Sequence, residues 1–204
     1  YTIESEAFTL TNPTRTGYDF EGWTGAGLTE PTKTVTIAVG SIGNREYTAV
    51  WTPIVYDIEY TLAGGTVATE NPATYTIESE TFTLNAPAKN GYTFSGWKEN
   101  GEGEAQMTVT ITKGSIGSLA YTATWTPIVY DIAYTLAGGT LATTNPTTYT
   151  IESEAFTLVN PTRTGYDFEG WTGAGLTEPT KTVTIAVGTI GNREYTAVWT
   201  PIVY

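Results

Sequence analysis

The sequence Trp-Thr-Pro-Ile-Val-Tyr occupies residues 51–56, 125–130 and 199–204, and each copy begins 74 residues after the one before it. The chain between the copies keeps this period without an insertion or a deletion, and residues 1–56 match residues 149–204 at all but two positions. A constant period of this length indicates an array of one small module. Such arrays act mostly through length, spacing and multiplicity, and less often through one catalytic pocket.

Short runs of alternating apolar and polar residues lie between the copies. Ile58, Tyr60 and Leu62, for example, point to one side of a strand while the polar residues between them point to the other. This period of two is typical of half-buried strands, and Gly-rich and Asn-Pro sequences separate the runs. The pattern predicts a mostly β, small α+β module of about five short strands, with room for one helical turn at residues 12–16 or 42–45.

The same alternation predicts which side chains form the core of each repeat. Large aromatic residues dominate this set, and each one removes about 150–250 Å² of surface from water when it is buried. The predicted core residues are Phe8, Leu10, Tyr18, Phe20, Tyr47, Trp51, Tyr60, Leu62, Phe82, Phe94, Trp125, Tyr134, Phe156, Phe168 and Trp199.

The position of the module boundaries follows from a gap in the array. Residues 57–74 have a counterpart after the second copy of the Trp-Thr-Pro-Ile-Val-Tyr sequence but none elsewhere. One copy of the module therefore lacks this segment. We favour a module that begins at the strand after the Trp-Thr-Pro-Ile-Val-Tyr sequence. The proline in this sequence has no backbone N–H to donate to a β-sheet, which favours a linker at that point. The repeats are then residues 1–55, which lack the opening strand, residues 56–129 and residues 130–204.

The other reading of this gap stays open. Modules beginning at Tyr1, Tyr75 and Tyr149 would leave the last copy without its closing strand. Either reading leaves one copy with an unpaired sheet edge. We expect the chain to be part of a longer array, and a neighbouring chain that supplies the missing strand is the alternative.

Several motifs together resemble a known family. The sequence Pro13-Thr-Arg-Thr-Gly-Tyr-Asp-Phe-Glu-Gly-Trp23 is followed by Thr34-Val-Thr-Ile37, Gly40-Ser-Ile-Gly43 and Tyr47-Thr-Ala-Val-Trp51, and the opening strand of the next copy reads Ile58-Glu-Tyr-Thr-Leu-Ala-Gly-Gly-Thr66. This combination resembles the Listeria–Bacteroides repeat, which is similar to the B repeat of Listeria internalin surface proteins. The resemblance extends over essentially the whole chain.

The resemblance implies a compact β-grasp-like module that occurs in tandem on bacterial surface proteins. Members of the family are linked with adhesion, stalk formation and protein–protein contact. The resemblance brings no catalytic residues with it. Because such modules occur on bacterial surface proteins, the resemblance also implies a location outside the cell or on the bacterial surface, with neighbouring repeats as the first partners.

Composition excludes several other functions. The net charge is −12 with only nine Lys and Arg residues, which argues against nucleic acid as a partner. No apolar run is long enough for direct membrane insertion. The chain has neither Cys nor His, so nucleophilic triads and structural zinc are not expected. We predict no catalytic residues, no metal site and no cofactor, and hence a protein that is not an enzyme.

Candidate ligand contacts are few. Trp23, Trp97 and Trp171 each follow a glycine and could stack on a sugar or a partner protein, although packing inside the module is the simpler interpretation. The segment 98–106 diverges from its counterparts, and Lys98, Glu99 and Asn100 at its start are the other candidates. Paired glutamates such as Glu78 and Glu80 could do acid/base work or bind calcium, but we favour a solvated strand face as their interpretation.

Three functions remain. The first is a structural stalk or spacer arranged as an elongated rod in a bacterial surface or extracellular fibre protein. The second is an adhesive module that binds a host protein or glycan through many weak sites. The third is an accessory module of a secreted enzyme whose catalysis lies elsewhere. Near identity of the first and third copies favours the spacer, because length then matters more than a unique site.

Overall fold

The computed structural model describes all residues from Tyr1 to Tyr204 and consists of strands, turns and irregular segments. The mostly β prediction is confirmed, but no helical turn forms at residues 12–16 or 42–45. In the second of these segments, Gly43 has a φ of +84°, which a right-handed helical turn cannot accommodate. The structure also contains no helix with the length and apolarity needed to cross a membrane.

The first repeat has five strands in two small sheets. The larger sheet has the order β3-β2-β5, and β1 pairs with β4 in the smaller one. The strands are β1 (Phe8–Thr9), β2 (Tyr18–Gly25), β3 (Leu28–Thr32), β4 (Thr36–Ile37) and β5 (Tyr47–Pro53).

The predicted second repeat, residues 56–129, contains six strands. Its four-stranded sheet has the order β7-β6-β11-β9, and β8 pairs with β10. The strands are β6 (Tyr56–Thr61), β7 (Thr74–Tyr75), β8 (Phe82–Thr83), β9 (Tyr92–Glu99), β10 (Thr110–Ile111) and β11 (Leu119–Pro127).

The third repeat has the same arrangement. Its main sheet has the order β13-β12-β17-β15, in which the opening strand β12 lies parallel to the closing strand β17, and β14 pairs with β16. The strands are β12 (Tyr130–Thr135), β13 (Thr148–Tyr149), β14 (Phe156–Thr157), β15 (Tyr166–Gly173), β16 (Thr184–Ile185) and β17 (Arg193–Pro201).

Two compact units make up the chain. The first consists of Tyr1–Thr61, Ala68–Asn85 and Trp97–Thr122. It contains all five strands of the first repeat. The second consists of Leu62–Val67, Ala86–Gly96 and Ala123–Tyr204. It contains the whole of the third repeat and therefore that repeat's core.

Trp171 forms the centre of the third repeat's core and has no exposed surface. Its ring lies 5.6 Å from the ring of Phe168 and 5.9 Å from that of Tyr134. Strict alternation would place Phe168 and Trp171 on opposite faces of β15, but the pairing of β15 with β17 shifts register between Phe168 and Gly170. This bulge brings both rings to one face. The same register shift occurs between Phe20 and Gly22 in the first repeat.

The predicted core residues form a half-buried layer around the fully buried side chains. Tyr134, Phe156, Phe168 and Trp199 pack against the third repeat's core in this way. Phe8 departs from the prediction, because its side chain is 43% exposed in the first repeat. The buried side chains of the third repeat's core are smaller aliphatic residues, one tryptophan and two other tyrosines, namely Ile132, Tyr149, Leu158, Trp171, Val183, Ile185, Tyr195 and Ala197.

Tyr60 and Tyr134, one in each opening strand, are expected to make the free energy of unfolding vary with pH in the alkaline range. Burial, with a smaller contribution from Tyr121 or Tyr195, raises the pKa of each phenol to about 12. Each phenol donates a hydrogen bond to a proline carbonyl, at 2.9 Å in both cases. Ionisation is therefore easier in the unfolded chain than in the folded one.

We expect these two phenols to contribute fully to the free energy of unfolding below pH 10, the ordinary pKa of tyrosine. Their contribution should fall as the pH rises from 10 through 12. Urea denaturation at a series of pH values would measure this loss. The double substitution Tyr60→Phe and Tyr134→Phe should flatten the pH dependence, and an unchanged slope in that variant would contradict the assignment.

Candidate functional site

The tryptophans of the Gly-Trp pairs lie inside the repeats. Trp97 is 1% exposed and Trp171 is fully buried, whereas Trp23 is half-buried. The Trp171 Nε1 donates a hydrogen bond to the Asn160 side-chain oxygen at 3.0 Å, and Trp23 has the equivalent bond to Asn12. In the second and third repeats these rings therefore pack against protein atoms and present no open face to a ligand.

The other candidate contacts lie on the divergent segment of the second repeat. Lys98 is half-buried, and Glu99 and Asn100 are exposed. Asn100 has a φ of +51°, and its backbone N–H donates a hydrogen bond to the Ala120 carbonyl at 2.8 Å. The segment borders a groove of about 430 Å³ whose lining includes three glutamates. No group of three His, Cys, Asp or Glu side chains in the structure is arranged to hold a metal ion.

The most specific geometry occurs where one repeat meets the next. Gly17 occupies a turn with a φ of +78°, and a methyl group built on its Cα would lie 2.7 Å from Ile77 Cδ1 and 3.3 Å from Ile116 Cγ2. Both isoleucines belong to the second repeat. Glycine is therefore needed here both for its backbone conformation and for the close approach of the next repeat.

A tyrosine next to this glycine completes the junction. The Tyr18 hydroxyl donates a hydrogen bond to Glu78 Oε1 at 2.7 Å, and the guanidinium of Arg15 lies 3.7 Å from the centre of the Tyr18 ring. The bond to Glu78 is the main reason why the pKa of Tyr18 is raised. The tyrosine thus connects a cation of its own repeat to a carboxylate of the following one.

The second junction repeats the first. A methyl group on Gly91 would lie 2.6 Å from Ile151 Cδ1 and 3.2 Å from Ile190 Cγ2. The Tyr92 hydroxyl donates a hydrogen bond to Glu152 Oε1 at 2.9 Å, which raises the pKa of Tyr92. Lys89 takes the place of the arginine, with its Nζ 4.1 Å from the centre of the Tyr92 ring.

The ends of the chain show the same surfaces without a neighbour. A methyl group on Gly165, the third turn glycine, would meet no atom within 4 Å. Ile3 and Ile42 are 61% and 74% exposed in the first repeat, whereas Ile116 and Ile190 at the junctions are 49% and 38% exposed. The preceding repeat therefore covers apolar surface on the one that follows.

The link between repeats is short and hydrogen-bonded. Only Ile54 and Val55 separate β5 from β6. The Ile54 N–H donates a hydrogen bond to the Gly17 carbonyl at 2.9 Å, and Ile128 bonds to Gly91 in the same way at 3.0 Å. The predicted linker is therefore partly strand, because β5 extends through Pro53, and its remaining residues are fixed to the turn that contacts the next repeat.

The residues at these junctions were only partly evident from the sequence. Their spacing in the sequence marks Glu78 and Glu152 only as members of carboxylate pairs, because their bonds to Tyr18 and Tyr92 span 60 residues and follow no local spacing rule. A usable signal was present, because the glycine, tyrosine, glutamate and two isoleucines are kept in all three copies.

Comparison with known proteins agrees with the repeated architecture. The Listeria-Bacteroides repeat domain family matches the chain three times, at residues 1–41, 56–120 and 130–190. The chain belongs to the Listeria-Bacteroides repeat family. No curated protein and no solved structure matches it. Listeria-Bacteroides repeats are non-catalytic modules that occur in bacterial surface and extracellular proteins.

Proposed function

We propose that this array of Listeria-Bacteroides repeats is a structural spacer in a protein exposed on the bacterial surface or outside the cell. The observation that carries the proposal is the repeated junction, in which a Gly-Tyr turn meets two isoleucines and a glutamate of the next repeat. A two-residue link leaves little freedom between neighbours. Contacts of one kind at every junction let the length of an array grow by a constant step with each added copy.

We further propose that the module begins at Tyr56 and Tyr130. The strands that start there pair with the closing strands β11 and β17 of the same repeats, in parallel and in matching registers. Two of the family matches also start at these tyrosines. The pairing of the opening and closing strands makes each such segment a complete sheet, which supports this boundary over the alternative one.

We favour the spacer over an adhesive module because the rings of Trp97 and Trp171 are buried. A protein or glycan ligand would have to use the exposed segment 98–106, which occurs in this form in only one of the three repeats. Multivalent binding requires the same site in several copies. The junction contacts, in contrast, recur wherever two repeats meet.

The test is to lengthen the array and measure its dimensions in solution. One and two further copies of residues 56–129, inserted between Val129 and Tyr130, recreate the junction sequence at each new boundary. Small-angle X-ray scattering should show the maximum dimension rising by the same increment for each copy, as expected for a rod. A maximum dimension that stays nearly constant as copies are added would show a compact assembly and refute the spacer.

The junctions can be tested in the same chains. Ile116→Glu in every copy places a carboxylate against the apolar turn, and we expect it to loosen the junction and reduce the increment per copy. Met107→Glu is the matched control, because Met107 is 62% exposed, close to the 49% of Ile116, and is not among the three residue atoms nearest to a methyl group built on Gly17 or Gly91. Equal scattering from the two variants would show that the isoleucine contact does not hold the repeats in place.

A further inference from the structure

Asparagine followed by glycine is a chemically labile pair, and this chain contains it twice. Both pairs lie in the second repeat, at Asn90-Gly91 and Asn100-Gly101. The backbone nitrogen of the glycine can attack the side-chain carbonyl carbon of the asparagine, because glycine has no side chain to obstruct the approach. Asparagine is accordingly one of the thermolabile residues that hyperthermophilic proteins contain less often. The structure places the two pairs in very different surroundings.

Asn100-Gly101 forms an exposed turn of two residues. The Glu102 N–H donates a hydrogen bond to the Glu99 carbonyl at 3.0 Å, which closes the turn around the pair. Asn100 and Gly101 have φ angles of +51° and +73°, and positive values at both positions are the property of a type I′ turn. Asn100 is exposed, and a methyl group built on Gly101 would meet no atom within 4 Å. The peptide between them therefore has room to rotate whenever the closing hydrogen bond opens.

Asn90-Gly91 is confined by the junction with the third repeat. A methyl group on Gly91 would lie 2.6 Å from Ile151 Cδ1 and 3.2 Å from Ile190 Cγ2. The Gly91 carbonyl also accepts a hydrogen bond from the Ile128 N–H at 3.0 Å. Rotation of the peptide between Asn90 and Gly91 would move the glycine against the two isoleucines and break this bond. The same dipeptide is thus held in place at the junction and has room to move in the turn.

We propose that Asn100 is a site of spontaneous covalent modification in the folded chain. After a base removes the Gly101 amide proton, the Gly101 nitrogen forms a bond to the side-chain carbonyl carbon of Asn100. The bond from this carbon to the side-chain nitrogen then breaks, and that nitrogen takes up a proton and leaves as ammonia. The product is a cyclic succinimide. Because neighbouring residues of one chain hold the reacting groups close together, the step is intramolecular and needs neither an enzyme nor an oxidant.

Water completes the conversion. It adds to one of the two carbonyl carbons of the ring, and the bond from that carbon to the Gly101 nitrogen breaks. Attack at the side-chain carbon gives aspartate. Attack at the main-chain carbon gives isoaspartate, in which the main chain runs through the former side chain. Either route exchanges ammonia for water and leaves one additional carboxylate at residue 100.

The conversion changes both the turn and the groove beside it. Glu99, Glu102 and Glu104 line this groove, so a carboxylate at residue 100 adds to a local excess of negative charge. In the isoaspartyl form, an extra main-chain carbon lengthens the turn that the bond between Glu102 and Glu99 closes. The first and third repeats contain alanine at the position of Asn100, so this chemistry is restricted to the second repeat.

Peptide mapping by mass spectrometry tests the assignment, because trypsin separates the two pairs. Cleavage after lysine places Asn90 in the peptide 90–98 and Asn100 in the peptide 99–113. The intact chain is incubated in mildly alkaline buffer made with heavy-oxygen water and is sampled over time. Peptide 99–113 should gain the mass of the conversion, with one heavy oxygen, at least about tenfold faster than peptide 90–98, whose asparagine the junction protects. Methylation by an isoaspartyl methyltransferase should label peptide 99–113.

The unfolded chain and two variants complete the test. In guanidinium chloride both peptides should gain mass at similar rates, because the fold and not the sequence protects Asn90. Asn100→Gly fits the positive φ at this position and should abolish the gain in peptide 99–113. Asn90→Thr, which introduces the residue found at positions 16 and 164, is the matched control and should leave that gain unchanged. Equal rates for the two peptides in the folded chain, or conversion of peptide 99–113 only after unfolding, would overturn the proposal.

Discussion

Trp171→Ala is expected to destabilise the third repeat by about 3–5 kcal/mol, the usual cost of truncating a buried tryptophan. Trp171 has no exposed surface, and its ring packs against Phe168 and Tyr134. The substitution would also leave the Asn160 side-chain oxygen without the indole N–H that it accepts. Both effects act inside a core that belongs to one repeat, so the loss should fall on that repeat.

Trp23→Ala is the matched control for this prediction. Trp23 occupies the same position in the first repeat but is half-buried, so a smaller cavity should form and the loss should be clearly smaller. Differential scanning calorimetry would compare the two variants. Hydrogen exchange in β12, which carries Tyr134, would locate the effect of Trp171→Ala. Equal losses for the two variants would contradict the difference in packing between the repeats.

Gly170→Ala is expected to prevent the third repeat from folding. Gly170 has a φ of +143°, and a methyl group on its Cα would lie 2.4 Å from the Thr180 N and 2.7 Å from the Pro179 carbonyl carbon. Both are backbone atoms, which cannot move aside by changing a rotamer. The bulge that turns Trp171 into the core would therefore have to open, and the core would open with it.

Gly188→Ala separates this steric effect from backbone strain. Gly188 also has a positive φ, +84°, but a methyl group there would meet no atom within 4 Å. The expected cost is the strain alone, about 1–2 kcal/mol. Near-ultraviolet circular dichroism and calorimetry would report whether the third repeat retains its cooperative transition. A Gly170→Ala chain as stable as the Gly188→Ala chain would show that the bulge is not required.

The repeat, the family and the β class could be predicted because each depends on patterns of nearby residues. The alternation located strands such as β6 and β15 well. The alternation predicts less well which side chains are most deeply buried. The bulge before Trp171 breaks the period of two and moves that ring to the same face as Phe168. The only local indication of this shift is Gly170 itself, because its lack of a side chain allows the backbone of Thr180 to pack against it.

The junctions could not be derived from the sequence for a different reason. The bond between Tyr92 and Glu152 joins residues 60 positions apart, and it forms only because the Gly91 turn rests on Ile151. Periodicity indicates that these residues recur, but it does not indicate that they meet.

The parallel contact between β12 and β17 also determines how a complete repeat responds to mechanical load. The chain enters the third repeat through β12 and leaves through β17, and adjacent parallel strands enter and leave at opposite ends. Tension on the two ends pulls these strands past each other, so that their hydrogen bonds are sheared together and do not peel apart one at a time.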